Sequence, residues 1–227
     1  MSDRILVFDM DGVLVDVTES YRATILRTIQ HFTGELLSNE LIQEYKNAGG
    51  WNSDWDLAHH LITERGFEVP FREVVAYFNS VFFGTDGDGL VYRERWIAQA
   101  GMLEELARSW QFALFTGRVQ EELKVTLGRF ASHLRFDPVM SADILSEQKP
   151  SPEGLLRIAA LNPGKQLWYV GDTVDDARAA RAAQVPFIGI AAPDNPRRKD
   201  LLELFRAENA AAIIEDINQI PTVLPQK

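Results

Sequence analysis

Short apolar runs alternate with helical stretches over the second half of this chain, and a parallel α/β sheet is the architecture that accommodates such a rhythm. Candidate strands fall at 112–115, 138–141, 167–170, 187–190 and 212–214, with helical stretches at 120–130, 152–160, 175–183 and 198–207. Strand-then-helix units imply right-handed crossovers, and strands covered by helices on both faces read as unbroken apolar runs. Ile5-Leu6-Val7-Phe8 has the same character and supplies a further strand. Ser151 is a candidate N-cap, with Pro152 in the first turn of the helix that follows.

Residues 16–92 break the rhythm. Tyr21, Ile25, Ile29 and Phe32 recur at helical spacing, as do Phe71, Val74, Val75, Phe78 and Phe82, and 41–46 and 55–62 are helical in pattern. Gly84-Thr85-Asp86-Gly87-Asp88-Gly89 then ends the helical block. The expectation is an α/β protein: a Rossmann-like parallel-sheet core formed by 1–15 and 93–227, with an all-α cap inserted at 16–92.

Charge and composition narrow the partners. A net charge of −10 over 227 residues argues against nucleic acid or an anionic membrane. It leaves room for a phosphorylated metabolite, because a local divalent ion reverses the sign of the field. The chain has no cysteine, which excludes disulfides, thiolate metal sites and cysteine nucleophiles. No apolar stretch approaches membrane length and no signal-like segment precedes the first strand, so the expected location is the cytoplasm. A monomer and a homodimer are equally compatible with this reading.

Four polar clusters fall at the carboxyl ends of candidate strands, where open α/β sheets place their ligands. They are Asp9-Met10-Asp11-Gly12, Thr116-Gly117-Arg118, Lys149 ahead of the helix near Pro152, and Gly171-Asp172-Thr173-Val174-Asp175-Asp176. Their types suit phosphoryl transfer through an aspartyl intermediate. Asp9 would attack phosphorus, while Asp11 protonates the leaving oxygen and later activates water. Asp9 and Asp172 offer hard oxygen ligands suited to Mg²⁺. Thr116 and the backbone around Gly117 would hold phosphate oxygens, Gly12 allows a sharp turn, and Lys149 supplies a compact positive charge. Arg118 either contacts phosphate or lies on a helix surface. Each close pair of carboxylates costs about 1 kcal/mol even at the dielectric of water, and a metal with Lys149 would offset that.

At these residues the chain resembles the haloacid dehalogenase (HAD) superfamily across nearly its whole length, in the phosphoglycolate phosphatase-like branch with a C1-type helical cap. The first motif of the family's phosphatases, Asp-x-Asp-Gly, stands at Asp9, Asp11 and Gly12; the second is Thr116, the third Lys149, and the fourth Gly171, Asp172 and Asp176. The resemblance implies Asp9 as nucleophile, Asp11 as acid/base, and Mg²⁺ on Asp9, the Asp11 main-chain carbonyl and Asp172. Asp175 or Asp176 would support the metal from behind, and acids stand at both positions.

In the cap, Gly49-Gly50-Trp51-Asn52-Ser53-Asp54 reads two ways. As a specificity loop, Trp51 would cover an apolar or sugar face, with Asn52 or Asp54 accepting hydrogen bonds from a hydroxyl or amine. As a plain turn, Ser53 or Asp54 would be an N-cap. His59 and His60 lack a well-spaced third ligand and read as helix-surface residues. The expected activity is Mg²⁺-dependent hydrolysis of a small phosphomonoester. A sugar phosphomutase is the alternative, although the 51–54 loop has none of the extra basic residues a mutase cap needs. A dehalogenase would need neither metal nor Asp11.

Overall fold

In the computed structural model, which describes residues 3–225, β1 (Arg4–Phe8) leads through the short strand β2 (Val15–Asp16) into four helices. These are α1 (Ala23–Thr33), α2 (Asn39–Ala48), α3 (Asp54–Glu64) and α4 (Phe71–Phe83). The chain returns through β3 (Arg95–Trp96) and α5 (Met102–Ala107). It then alternates through β4 (Gln111–Phe115), α6 (Gln120–Phe130), β5 (Phe136–Met140), α7 (Glu153–Leu161), β6 (Gln166–Gly171), α8 (Val174–Ala183), β7 (Phe187–Ile190), α9 (Arg198–Ala207) and β8 (Ala212–Ile214).

The main sheet has the order β5-β4-β1-β6-β7-β8, parallel throughout. β1 is central because both its faces are apolar. Leu6 and Phe8 enter one buried layer with Leu103 of α5 and Leu123 of α6, while Ile5 and Val7 enter the other with Leu155, Ala180 and Phe205. The chain builds outward from β1 on one side as β4 and β5, then crosses to lay β6 on the other. That reversal opens a crevice at the carboxyl end of β1.

The four helices share a separate apolar cluster that includes Ile25, Ile29, Leu61, Phe78 and Phe82. Ser38 caps α2, its hydroxyl accepting from the Leu41 N–H at 3.3 Å, and Gly34 closes α1 at φ +78°. Both connections to the sheet run side by side, with β2 antiparallel to β3 and Arg95 Nη2 2.7 Å from Asp16 Oδ2. Among the described residues no helix is long and apolar enough to cross a membrane.

The structure shifts some expected boundaries. β5 starts two residues earlier than the apolar run and keeps Pro138, which an edge strand tolerates. α7 starts at Glu153, so Pro152 is its N-cap and not its first helical residue; the Ser151 hydroxyl still accepts from the Glu153 N–H at 3.3 Å. The β2–β3 ribbon and α5 are too short for a periodic signal.

Candidate active site

Asp9 follows β1 directly, and its N–H donates to the Val170 carbonyl at 2.8 Å, which ties it to β6. The Lys149 ammonium lies 3.0 Å from Asp9 Oδ1 and donates to Asp176 Oδ1 at 2.7 Å, with all three side chains buried. Asp176 Oδ1 also accepts from the Tyr169 hydroxyl at 2.6 Å. Its Oδ2 accepts the N–H groups of Asp172 and Thr173 at 3.2 and 3.0 Å and the Thr173 hydroxyl at 2.7 Å. Asp176 and Thr173 thus form a capping box that starts α8. Burial opposes ionisation of Asp176, but Lys149 and these hydrogen bonds hold its carboxyl below the usual range.

Its two acidic neighbours are less well compensated. Burial pushes the Asp9 carboxyl up to about 7 against the pull of Lys149, helped by the charges of Asp176 and Asp11. Burial, followed by the charges of Asp176 and Asp9, raises Asp172 well above the carboxylate range, with Arg22 opposing. Oxygens of Asp9, Asp172 and Asp176 lie within 4.8 Å of one another, and the Lys149 ammonium bonds only the first and the last. The donor set is all carboxylate, as a hard divalent cation requires. Gly12 allows the close approach: at φ +68° a Cβ there would stand 2.0 Å from Asp172 Oδ2. The residues present fit such an ion, and among the described residues no histidine joins the group.

Asp11 sits on the opposite wall, its side chain 31% exposed. Arg118, 1% exposed, donates from Nε to Asp11 Oδ1 at 2.7 Å, from Nη1 to Thr126 Oγ1 at 2.6 Å and from Nη2 to Glu94 Oε1 at 2.7 Å. The Thr126 hydroxyl donates to Glu94 Oε2 at 2.6 Å, closing a buried ring of bonds. Arg118 is therefore not a helix-surface residue, and its guanidinium is largely committed to orienting Asp11. Thr116 is buried, its N–H donating to Met140 O and its Oγ1 accepting from the Arg118 N–H. Gly117 faces the cap, since a Cβ there would lie 2.7 Å from Asn52 Nδ2.

A cavity of about 80 Å³ separates cap from sheet, lined by Asp9, Asp11, Gly117, Arg118 and Asp172 below and by Tyr21, Arg22, Lys46, Asn52 and Asp54 above. Asn52 also donates to Gln148 Oε1 at 3.2 Å, linking the cap loop to the segment before Lys149. Asp54 is neutralised by Lys46 Nζ at 2.7 Å, and Ser53 is the N-cap of α3. Trp51 corrects the specificity-loop expectation. Its ring packs on His60, centroids 4.4 Å apart, and Trp55 lines the cavity in its place. Asp175 likewise turns from the metal group to the cap, accepting the Gly50 N–H at 2.8 Å. Lys149, Asp172 and Asp176 are brought together; Asp175 is not.

Sequence reasoning did not find Tyr21, Arg22, Glu94 or Glu122. Tyr21 was readable only as a core residue of a helical stripe. Glu94 is a lone acid in the return connection, joined to Arg118 across 24 positions. Glu122 stands where an acid favours a helix N-terminus, and it does accept the Val119 N–H at 3.0 Å. Nothing in its spacing says that it lines the cavity or meets the Tyr21 hydroxyl there.

Residues 6–190 match the family described as haloacid dehalogenase-like hydrolase. The chain is 32% identical over 228 residues to an imidazoleglycerol-phosphate dehydratase of Phytophthora nicotianae, covering 95% of this chain but 48% of that protein, about half its length. It is 23% identical to the phosphoglycolate phosphatase of Pseudomonas syringae pv. syringae, over 96% of this chain and 78% of the other. A solved structure from Lactobacillus plantarum, assigned as a phosphoglycolate phosphatase, superposes with a TM-score of 0.73 at 20% identity, covering 99% and 100% of the two chains. The match over most of the length, on a fold that sets Asp9, Thr116, Lys149 and Asp172 at one sheet edge, places this chain in the haloacid dehalogenase-like hydrolase family.

Proposed function

We propose that the chain is a Mg²⁺-dependent phosphatase that hydrolyses a small soluble phosphomonoester in the cytoplasm, with residues 16–92 acting as a cap over the core. The observation that carries the reading is the buried Asp9–Lys149 pair facing Asp11 across a small cavity. Mg²⁺, held by Asp9, the Asp11 main-chain carbonyl and Asp172, would supply positive charge to the phosphoryl oxygens and to the carboxylates crowded there.

The remaining chemistry belongs to side chains. An Asp9 carboxylate oxygen bonds to phosphorus as the bond from phosphorus to the leaving oxygen breaks. Arg118 occupies Oδ1 of Asp11, which leaves Oδ2 to give its proton to that oxygen. In the second step Asp11 takes a proton from water, whose oxygen attacks phosphorus and releases phosphate and the Asp9 carboxylate. Thr116 and the Gly117 backbone hold phosphoryl oxygens, and Asp176 keeps the Lys149 ammonium aimed at Asp9.

A phosphomutase is the second reading, favoured by Arg22. Arg22 Nη2 donates to Gln43 at 2.6 Å while Nη1 has no partner, and the residue lines the cavity as a free cap cation could for a second phosphate. Release of inorganic phosphate from an aryl phosphate tests the main reading. Turnover should require Mg²⁺, stop in EDTA and fall by roughly 10³-fold or more in Asp9→Asn. Turnover indifferent to that substitution would overturn it. Isomerisation of a sugar phosphate without phosphate release would favour the mutase.

A further inference from the structure

Arg118 can aim Asp11 only if something aims Arg118, whose long side chain has many rotamers of its own. Its Nε and Nη2 both reach Asp11 Oδ1, at 2.7 and 2.5 Å. The far edge of the fork is held twice. Nη2 also donates to Glu94 Oε1 at 2.7 Å and Nη1 to Thr126 Oγ1 at 2.6 Å, while the Thr126 hydroxyl donates to Glu94 Oε2. Both carboxylate oxygens of Glu94 are thus used, and its side chain is fully buried. The Arg118 guanidinium carbon also lies over the Tyr21 ring, 4.8 Å from its centroid.

Glu94 is itself a fixed post. It stands where the chain returns from the helical insertion, directly before β3. On one side of it, Arg129 of α6 donates to the Val91 and Tyr92 carbonyls at 2.5 and 2.9 Å. On the other, Arg95 pairs with Asp16 and Trp96 with Val15. Thr126 and Arg129 lie three apart on α6 and so face the same connection. Replacing a buried ion pair by apolar side chains of the same shape is often neutral, so charge alone gives no reason for this triad. Direction does. Hydrogen bonds along one edge of a planar fork fix where its other edge points.

We infer that Glu94, together with Thr126, is a positioning residue that holds the Arg118 fork in the orientation presenting the free oxygen of Asp11 to the leaving group. The inference rests on the phosphatase reading for the role of Asp11 and adds the groups that aim it. Its consequence is selective. A leaving oxygen that departs as a stable anion needs no proton, whereas a basic one does, so a misaimed acid slows only the second. Loss of packing alone would slow both alike.

The test compares kcat/KM for dinitrophenyl phosphate and methoxyphenyl phosphate, a good and a poor leaving group, in saturating Mg²⁺. Asp11→Asn sets the scale: it should slow the methoxyphenyl ester about 10²-fold more than the dinitrophenyl ester. Glu94→Gln has a single oxygen, which can serve Arg118 or Thr126 but not both. It should slow the methoxyphenyl ester about tenfold and the dinitrophenyl ester less than about threefold. Thr126→Val should show the same selectivity more weakly, and Thr126→Ser, which keeps the hydroxyl, should restore the parent ratio. Should Glu94→Gln fail to fold, the two Thr126 variants carry the comparison. Equal losses on both esters, or a parent ratio in Thr126→Val, overturn the assignment. Selectivity in Asp11→Asn alone sinks Glu94 and spares the phosphatase. No hydrolysis of either ester by the unaltered protein sinks the phosphatase reading, and this inference with it.

Discussion

On the proposed nucleophile wall of the cavity, Asp9, Asp172 and Asp176 crowd together and the Lys149 ammonium bonds two of them; on the proposed acid/base wall, Asp11, Glu94 and Glu122 lie around the Arg118 guanidinium, which likewise bonds two. The arithmetic is the same and the construction differs. Lysine is a compact point charge, and its carboxylates are free to take a metal ion as well. Arginine is a planar fork, and here the fork fixes the direction of each bond, to Asp11, to Glu94 and to Thr126. One wall keeps carboxylate oxygens grouped as a divalent ion would need them, while the other holds Asp11, the proposed acid, rigidly and pairs Glu122 with Tyr21. The difference teaches that carboxylates gathered by a point charge stay open to an added cation, while those gathered by a fork and by hydrogen bonds do not.

The largest effect should come from removing each resident cation. Arg118→Met strands Glu94, fully buried, without its partner, which should cost roughly 3–5 kcal/mol in denaturant unfolding. Lys149→Met strands Asp9 and Asp176 in the same way, but Mg²⁺ can take over part of the ammonium's role. Added Mg²⁺ should therefore restore stability to Lys149→Met and leave the Arg118→Met deficit unchanged. Equal rescue of both would erase the distinction between the walls.

Glu122 gives the next effect, through pH. Its carboxyl is raised from 4.5 to about 7 by burial, against hydrogen bonds from the Val119 N–H and the Tyr21 hydroxyl and the charge of Arg118. Below 4.5 folded and unfolded chains both hold the proton, and the shift costs nothing. Between 4.5 and about 7 the folded chain alone holds it, so stability falls as pH rises, with the full penalty present above about 7. Glu122→Gln removes that titration. Its stability relative to the parent should climb by about 3 kcal/mol across this window at most, read from unfolding curves at each pH. A flat difference would mean that the carboxylate is already compensated.

These two walls were unequally legible in the sequence. Asp9 and Asp172 announce themselves because each follows an apolar strand, and the sheet aligns such positions whatever the side chains; Lys149, ahead of α7, was legible by its spacing to the other motifs. The core strands and α6 and α9 were readable for the same reason: periodic apolar residues fix both the element and its face. The Arg118 network was not, because Glu94 and Thr126 lie on different segments and only tertiary packing brings them to one guanidinium. The two readings of the Trp51 loop stayed open because a sequence shows that an aromatic stands in a loop but not which way its ring turns, here onto His60. The choice between Asp175 and Asp176 was likewise open until the capping box with Thr173 turned one inward and the other toward Gly50.

Mg²⁺ itself should separate the walls more gently. An ion at one hundred times its dissociation constant stabilises the folded chain by about 2.7 kcal/mol, seen as a rise in Tm. Asp172→Asn should abolish most of that rise, since it removes one of the two carboxylates least compensated without metal. Glu122→Gln should preserve it. A Mg²⁺-dependent rise that persists in Asp172→Asn would move the ion off the nucleophile wall.

The smallest effect lies where the cap loop meets the core. Asp175 Oδ2 accepts the Gly50 N–H at 2.8 Å, across a loop whose Gly49 and Gly50 both have φ above +80°. The neighbouring Arg178 crowds Gly49 so closely that a Cβ there would stand 2.2 Å from its Nη1. Asp175→Ala removes the acceptor and leaves the N–H to find water, a loss of about 1 kcal/mol at most. Asp175→Asn keeps an oxygen for the Gly50 N–H and should be close to neutral. Because this bond joins loop to core and touches neither charged wall, the alanine variant should raise KM for an aryl phosphate while kcat changes less. A fall in kcat as large as that in Asp9→Asn would mean that Asp175 belongs to the nucleophile wall after all.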